Sequence, residues 1–267
     1  MKSLEEQIDE SVSYILDRTR ISPKIGLVLG SGLGDFADTL PSRDSLSMKD
    51  IPNYPNSAVE GHKGNLVFAI LENRPLLVFQ GRTHFYESNS VPLVLYPIYV
   101  AHRLGVKKLI ITNAAGGVSR SLEQGDLMLI SDQINLTNGI LDHLDTNSGA
   151  PNSLYNTELI TIATDVARSN GIGIKKGVYV GVKGPSYETA AEVEMIHRIG
   201  GDAVGMSTVL EVSVANLIGM KVLGISCITN YATGIRNVKL SHTEVTTVGN
   251  RVKQSLHTLL SGTIRAI

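Results

Sequence analysis

A chain of 267 residues is long for one domain, yet it lies within the range of single α/β domains and can bury a large core, so we expect one domain over residues 1–267. Charged residues make up 18% of it and hydrophobic ones 42%, against about 25% charged in ordinary soluble proteins, and this low demand for solvated surface points to an oligomer. A formal net charge of -1 with no basic block argues against nucleic acid or an anionic membrane as main partner, because both need clustered Lys and Arg.

The chain opens Met1-Lys2-Ser3-Leu4-Glu5-Glu6, acidic where a signal peptide is basic and then apolar. No apolar run approaches the length of a membrane span, so the expected compartment is the cytoplasm. Leu4, Ile8, Val12, Ile15 and Leu16 recur at helical spacing and predict an amphipathic helix. The apolar run Ile25 to Leu29 predicts a strand, and it leads into Gly30-Ser31-Gly32-Leu33-Gly34. So bare a backbone lets consecutive N–H groups converge on a phosphate, with the Ser31 hydroxyl as one more donor; a tight turn is the alternative reading. A dinucleotide fingerprint fits poorly, since the third glycine comes one position early and Asp50 lies in a Pro- and Asn-rich stretch rather than at a strand end.

Residues 41–64 show little periodicity. Asn65 to Leu71 and Leu76 to Phe79 then predict a hairpin joined by Glu72-Asn73-Arg74-Pro75. Its second strand ends in Gln80-Gly81-Arg82-Thr83-His84-Phe85-Tyr86-Glu87, a polar cluster at a strand's carboxyl end, where open α/β sheets place ligands. Pro92 opens an apolar helix to about Leu104. The strand Lys108 to Thr112 runs into Asn113-Ala114-Ala115-Gly116-Gly117, a second loop of small residues. After the strand Asp126 to Ile130, a connection rich in Asn, Asp and Gly runs to about Asn156, long enough for a functional loop or an interface arm.

A helix is predicted over Thr157 to Ser169 and a strand over Lys175 to Val182. That strand ends in Lys183-Gly184-Pro185-Ser186-Tyr187-Glu188-Thr189, where Thr189 or Ser186 caps the next helix. Asp202 to Gly205 is a short strand, and Met206-Ser207-Thr208 leads to the helix Val209 to Leu217. Glu211 is an acid on an otherwise apolar helix, so we expect it to pair with a buried partner. Val222 to Ile228 is a strand carrying the sole cysteine, Cys227, which reads as a small buried hydrophobe in a reducing compartment. It ends at Thr229-Asn230-Tyr231, and a last helix begins near His242. Alternation of strands and helices predicts an α/β domain with a central mixed, mostly parallel sheet flanked by helices, the hairpin supplying its antiparallel part.

Polar residues thus recur at successive strand ends: Ser31, Arg82 and His84, Asn113, Glu188, Ser207, Asn230. One central pocket would collect them. In order along the chain, Gly30-Ser31-Gly32, Gly61-His62, Gly81-Arg82-Thr83-His84-Phe85-Tyr86-Glu87, Thr112-Asn113-Ala114-Ala115-Gly116-Gly117, Gly184-Pro185-Ser186-Tyr187-Glu188-Thr189, Val204-Gly205-Met206-Ser207-Thr208 and Ile228-Thr229-Asn230 resemble a purine nucleoside phosphorylase of the trimeric, 6-oxopurine-preferring type.

The resemblance implies reversible phosphorolysis of inosine, guanosine and their deoxy forms to free base and (deoxy)ribose 1-phosphate. It assigns Ser31, His62, Arg82, His84, the Ala114 N–H and Ser207 to phosphate, and Tyr86, Met206 and His242 to ribose. Tyr187, Glu188 and Asn230 fall to the base, with His84, Glu188 and Asn230 as the catalytic set. The chemistry needs such groups on its own account: a phosphate dianion reaches the anomeric carbon as the bond to the purine breaks through an oxocarbenium-like transition state. Arg82 offers a planar fork of donors to that dianion. An amide at Asn230 donates one hydrogen bond while accepting another, which suits a leaving base that gathers charge.

The same likeness implies a homotrimer and, through asparagine rather than aspartate at 230, a preference for 6-oxo over 6-amino purines. No metal or organic cofactor is expected, because no His, Cys and carboxylate spacing resembles a ligand set and phosphate is a co-substrate. His102, His143, His197 and His257 read as structural or solvated. Taken singly, Glu188 also reads as a first-turn carboxylate, Ser207 as a helix cap, and Asn113 and Asn230 as turn residues. The stretch 137–156 lacks the aromatic residue that reaches a neighbouring subunit's pocket in much of the family, and Ser88, Lys63 and Leu210 depart from the usual residues. A methylthioadenosine-type phosphorylase and a nucleoside-binding protein without turnover are the competing functions.

Overall fold

The computed structural model describes residues 2–41, 43–56, 63–137, 153–236 and 242–267. Its elements in chain order are α1 (Leu4–Leu16), β1 (Ile25–Val28), β2 (Arg43–Ser47), β3 (Asn65–Leu71), β4 (Arg74–Phe79), α2 (Phe85–Ser88), α3 (Val91–Arg103), β5 (Lys108–Gly117) and β6 (Leu127–Asn135). They continue with α4 (Thr157–Ser169), β7 (Ile174–Gly181), α5 (Ala190–Arg198), β8 (Ala203–Gly205), α6 (Val209–Leu217), β9 (Lys221–Tyr231) and α7 (His242–Ala266). Local chemistry sets several boundaries. Ser3 and Glu6 form a reciprocal capping box at α1, and the Asn156 side chain accepts from the Leu159 N–H at the start of α4. The β3–β4 hairpin turns on Glu72 and Asn73, both at positive φ (46° and 66°), which matches the twist of the flanking strands.

The nine strands among the described residues belong to one sheet, in the order β2-β3-β4-β1-β5-β8-β7-β6-β9, with β9 returning to pair with β5. Strands β5, β8, β7, β6 and β9 therefore close into a barrel, and β1, β4, β3 and β2 extend from it as a wing. Closure removes the exposed edges that open sheets must protect. The pairings β1–β4, β1–β5, β5–β9, β6–β7 and β7–β8 are parallel. Antiparallel pairing reaches beyond the expected hairpin to β2–β3, β5–β8 and β6–β9. Strand β2 lies in the stretch whose sequence shows little periodicity, and its half-exposed edge position explains why. Strands β5, β6 and β9 run longer than their apolar cores suggest, because their polar carboxyl halves serve the barrel.

Strand β5 positions the site. One of its edges carries β9 from Lys108 to Gly117. The other is shared: β1 pairs with Lys108 to Ile111, and β8 with Gly116 and Gly117. Among the described residues no strand pairs with Thr112 to Ala115 on that edge, so a gap opens where β1 and β8 point at one another. The core packs around this frame. Strand β1 is buried along its whole length, as expected of a parallel strand covered on both faces. Cys227 is buried in β9, and burial pushes its thiol up to about 12, so it is an inert core group. Among the described residues no helix is long and apolar enough to cross a membrane.

Candidate active site

Gly30 closes the amino side of the gap. Its N–H donates to Thr112 Oγ1 at 3.0 Å, and that hydroxyl donates to the Val28 carbonyl at 3.1 Å, which locks the loop after β1 to β5. A Cβ at Gly30 would stand 2.8 Å from Asn113 Cα, so glycine is required for the approach. Helix α7 braces the same loop from outside. A Cβ at Gly249 would lie 2.7 Å from the Gly32 carbonyl oxygen, and Lys253 Nζ meets Asp35 Oδ2 at 2.7 Å.

The loop after β4 brings Arg82 beneath the gap. Arg82 is 5% exposed, and its Nη1 lies 2.9 Å from Glu211 Oε2 while Nη2 donates to the Thr112 carbonyl. Glu211 thus has the buried partner its apolar helix predicts. The same Glu211 oxygen accepts the Thr208 N–H at 2.8 Å, and Asn113 Nδ2 donates to Thr208 Oγ1 at 2.9 Å. Beside Arg82, His84 places Nδ1 3.3 Å from Glu87 Oε1, which also accepts the His84 backbone N–H at 2.6 Å. An ionised carboxylate only accepts, so this pair puts the imidazole proton on Nδ1. The His84 and Tyr86 rings stack with centroids 5.0 Å apart.

The opposite wall comes from β7, β8 and β9. Thr189 caps α5 in a capping box with Glu192, so Glu188 stands ahead of the helix and the first-turn acid is Glu192. Burial lifts the Glu188 carboxyl above its ordinary 4.5, and the neighbouring Glu192 charge adds to the rise. The Asn230 amide is fixed at both ends: Oδ1 accepts from Thr229 Oγ1 at 3.0 Å, and Nδ2 donates to the Tyr231 carbonyl at 3.0 Å. Tyr187 stands at the rim, 46% exposed. Ser207 lines the cavity directly before Thr208, which takes the cap position of α6, so the helix-cap reading of Ser207 passes to its neighbour.

These walls enclose a cavity of about 340 Å³, within the range that takes a small organic ligand. Ser31, Arg82, His84, Tyr86, Ala114, Tyr187, Glu188, Met206, Ser207 and Asn230 all line it, together with Asn113. His62 lies outside the described residues; His242 opens α7, and its side chain lies outside them too. So do His143 and residues 138–152 of the long connection. His257 packs edge-on against Phe36 at 5.2 Å, away from the cavity. Sequence reasoning gave no role to Thr112, Glu87 and Thr208. Thr112 and Thr208 bond residues distant along the chain, whereas Glu87 meets His84 three positions away and Thr208-Val209-Leu210-Glu211 carries a readable capping-box spacing.

The strand ends thus gather a buried arginine and the Ser31 and Ser207 hydroxyls on one wall of the cavity and the Glu188 carboxylate beside the Asn230 amide on the other. The family model described as the phosphorylase superfamily matches residues 24–265, and the chain belongs to that superfamily. Within it, the chain is 48% identical over 256 residues to purine nucleoside phosphorylase 1 of Bacillus subtilis, with 94% of each chain covered. A Schistosoma purine nucleoside phosphorylase in complex with hypoxanthine superposes with a TM-score of 0.91 at 36% identity, covering 98% of this chain and 97% of that one. The Schistosoma mansoni enzyme in complex with adenosine superposes at 0.90 with 36% identity, covering 98% and 97%.

Proposed function

We propose that this cavity carries out reversible, phosphate-dependent cleavage of purine nucleosides, with inosine, guanosine and their deoxy forms as substrates. The protein is a purine nucleoside phosphorylase, a pentosyltransferase that moves a ribosyl group from purine to inorganic phosphate. The observation that carries the reading is the gap in β5, with a buried arginine and two hydroxyls on one side and a carboxylate beside an oriented amide on the other.

In our assignment, phosphate is held by Ser31, Arg82, His84, the Ala114 N–H and Ser207, with His62 as a further ligand. Ala114 supports this role by lying in the stretch of β5 whose β1–β8 edge is unpaired among the described residues. An oxygen of phosphate bonds to the anomeric carbon as the glycosidic bond breaks, and that bond's electrons leave with the purine. Tyr86 and Met206 flank the ribose, with His242 at its 5′ side. Glu188 and Asn230 receive the base while Tyr187 covers its face, and the leaving charge falls on groups already oriented for it. Each end of the Asn230 amide keeps one further hydrogen-bonding position, since its oxygen has two lone pairs and its nitrogen two hydrogens. No metal or organic cofactor enters this scheme, because the polar groups on the two walls suffice for an anion and a base. We further propose one domain over residues 1–267, a homotrimer, a cytoplasmic location and a place in purine salvage, from the family likeness and from the low share of charged residues.

The test is inosine with and without inorganic phosphate, following hypoxanthine and ribose 1-phosphate. Release that saturates with phosphate is expected. Release without phosphate would mark a hydrolase, and none under either condition would leave a binding protein.

A further inference from the structure

The phosphate wall contains an acid. Glu211 sits at 3% exposure in the first turn of α6 and is not itself among the residues that line the cavity. One of its oxygens, Oε2, takes both Arg82 Nη1 at 2.9 Å and the Thr208 backbone N–H at 2.8 Å. Thr208 is the strained residue of the site. Its φ of 75° and ψ of -54° are those of the rare left-handed γ-turn, closed by the Val209 N–H on the Ser207 carbonyl at 2.8 Å. Such a conformation persists in a β-branched residue only where its surroundings hold it. Here they do: Glu211 accepts the Thr208 N–H, and Asn113 Nδ2 donates to the Thr208 hydroxyl oxygen.

We propose that Glu211 is a positioning residue for phosphate, setting the Arg82 fork and the Ser207 hydroxyl in one mutual geometry through a single carboxylate oxygen. The argument rests on the phosphate reading of the cavity. The turn at Thr208 aims Ser207, so the anchor that keeps the turn also decides where Ser207 stands. Arg82 is gripped from two sides, by Glu211 at Nη1 and by the Thr112 carbonyl at Nη2, which fixes the plane of its guanidinium. A planar fork is useful to an anion only when its plane is fixed.

An opposite effect competes. Glu211 is an anion near an anion site, and its charge offsets that of Arg82, so removing it raises the positive potential felt by phosphate. Geometry is expected to win, because a buried guanidinium stripped of its anchor takes other acceptors and the γ-turn relaxes at the same time. The two effects predict opposite signs, and this makes the proposal testable.

The experiment is steady-state kinetics on the full chain, varying phosphate and inosine separately, for wild type, Glu211→Gln, Arg82→Ala and the double variant. In Glu211→Gln the KM for phosphate is expected to rise about tenfold or more, while the KM for inosine stays within about twofold. In the Arg82→Ala background the same change is expected to add clearly less than in wild type, since Glu211 then has no fork to set and acts on phosphate only through Thr208 and Ser207. A fall in the phosphate KM would make Glu211 a competitor of the ligand and overturn the proposal. Equal rises in both KM values, or full additivity with Arg82→Ala, would reduce it to a structural acid. Should Glu211→Gln fail to fold, Glu211→Asp carries the test: the charge stays, the oxygen withdraws by one methylene, and the phosphate KM alone is expected to rise. If wild type shows no phosphate dependence, the reading of the cavity fails; if wild type saturates with phosphate and Glu211→Gln leaves that saturation unchanged, only the role of Glu211 fails.

Discussion

The two walls of the cavity are built to different standards of rigidity. On the side proposed for phosphate, Thr112, Thr208, Asn113, Glu211 and Arg82 are 0 to 5% exposed and are cross-linked by hydrogen bonds between the loop after β4, β5 and the start of α6. On the base side, Tyr187 is 46% exposed and Glu188 half-buried, both carried by the segment between β7 and α5. The co-substrate common to every turnover is small, doubly charged and invariant, so a preorganised wall loses nothing by being stiff. The base varies from one substrate to the next, and the exposed Tyr187 and half-buried Glu188, beside the fixed Asn230 amide, leave room for that variation. Stiffness here follows demand for charge control, and each prediction below presses on one wall while reading the other.

Arg82→Ala is expected to give the largest effect. Truncating one partner of a buried, hydrogen-bonded charge pair costs about 3–5 kcal/mol, much of it from the carboxylate left unpaired, and Glu211 is that carboxylate. The midpoint of thermal unfolding should fall by roughly 5–15 °C for a chain of this size. In the protein that remains folded, the KM for phosphate should rise about a hundredfold and the KM for inosine far less. Equal losses of both affinities would mean that the walls are not separable and that Arg82 supports the cavity as a whole.

Much of this arrangement is readable in the chain, for identifiable reasons. Helices α4 and α6 match their expected ends because apolar period and capping residues agree there, Asn156 for one and Thr208-x-x-Glu211 for the other. The hairpin is set by Glu72 and Asn73. Ten of the expected site residues meet in one cavity because strand carboxyl ends gather in this topology, which a list of polar strand ends already reflects. What the chain hides is long-range. Nothing local shows that β9 returns to β5 and closes a barrel, or that β8 stops short and leaves one edge of Thr112 to Ala115 unpaired among the described residues. Strand β2 escapes notice because an exposed edge strand needs no apolar alternation. The partner of Glu211 lies 129 residues away in sequence, so its burial is predictable and its identity is not.

A smaller, more selective effect is expected on the base wall from Asn230→Asp. A carboxylate accepts and cannot donate, so the position loses its donor to a 6-oxopurine and gains an acceptor for a 6-amino group. Inosine kcat/KM should fall by about ten- to a hundredfold while that for adenosine rises, with the phosphate KM unchanged. The discrimination proposed for this chain is read in turnover, as the ratio of the two kcat/KM values. Comparable phosphorolysis of adenosine and inosine by the unaltered protein would remove asparagine 230 as its source.

The mildest expected effect is the pH response of Glu188. Burial raises its carboxyl above 4.5, with Glu192 contributing in the same direction. In the role proposed for it the ionised form accepts hydrogen bonds from the base, so hypoxanthine affinity, measured without phosphate to avoid that ion's own titration, should fall as pH drops through the raised value. Glu188→Gln should flatten this dependence and leave the phosphate wall untouched. The same shift has the reverse sign for stability. A carboxyl raised in the folded state binds its proton more tightly there than in the unfolded chain. Its contribution is therefore fully present below the unfolded value and is lost as pH rises through the folded one. Near neutral pH the ionised Glu188 works against folding, and Glu188→Gln should unfold at a slightly higher temperature than the parent while binding the base more weakly. A lower unfolding temperature would mean that Glu188 holds the wall together rather than waiting in it for a ligand.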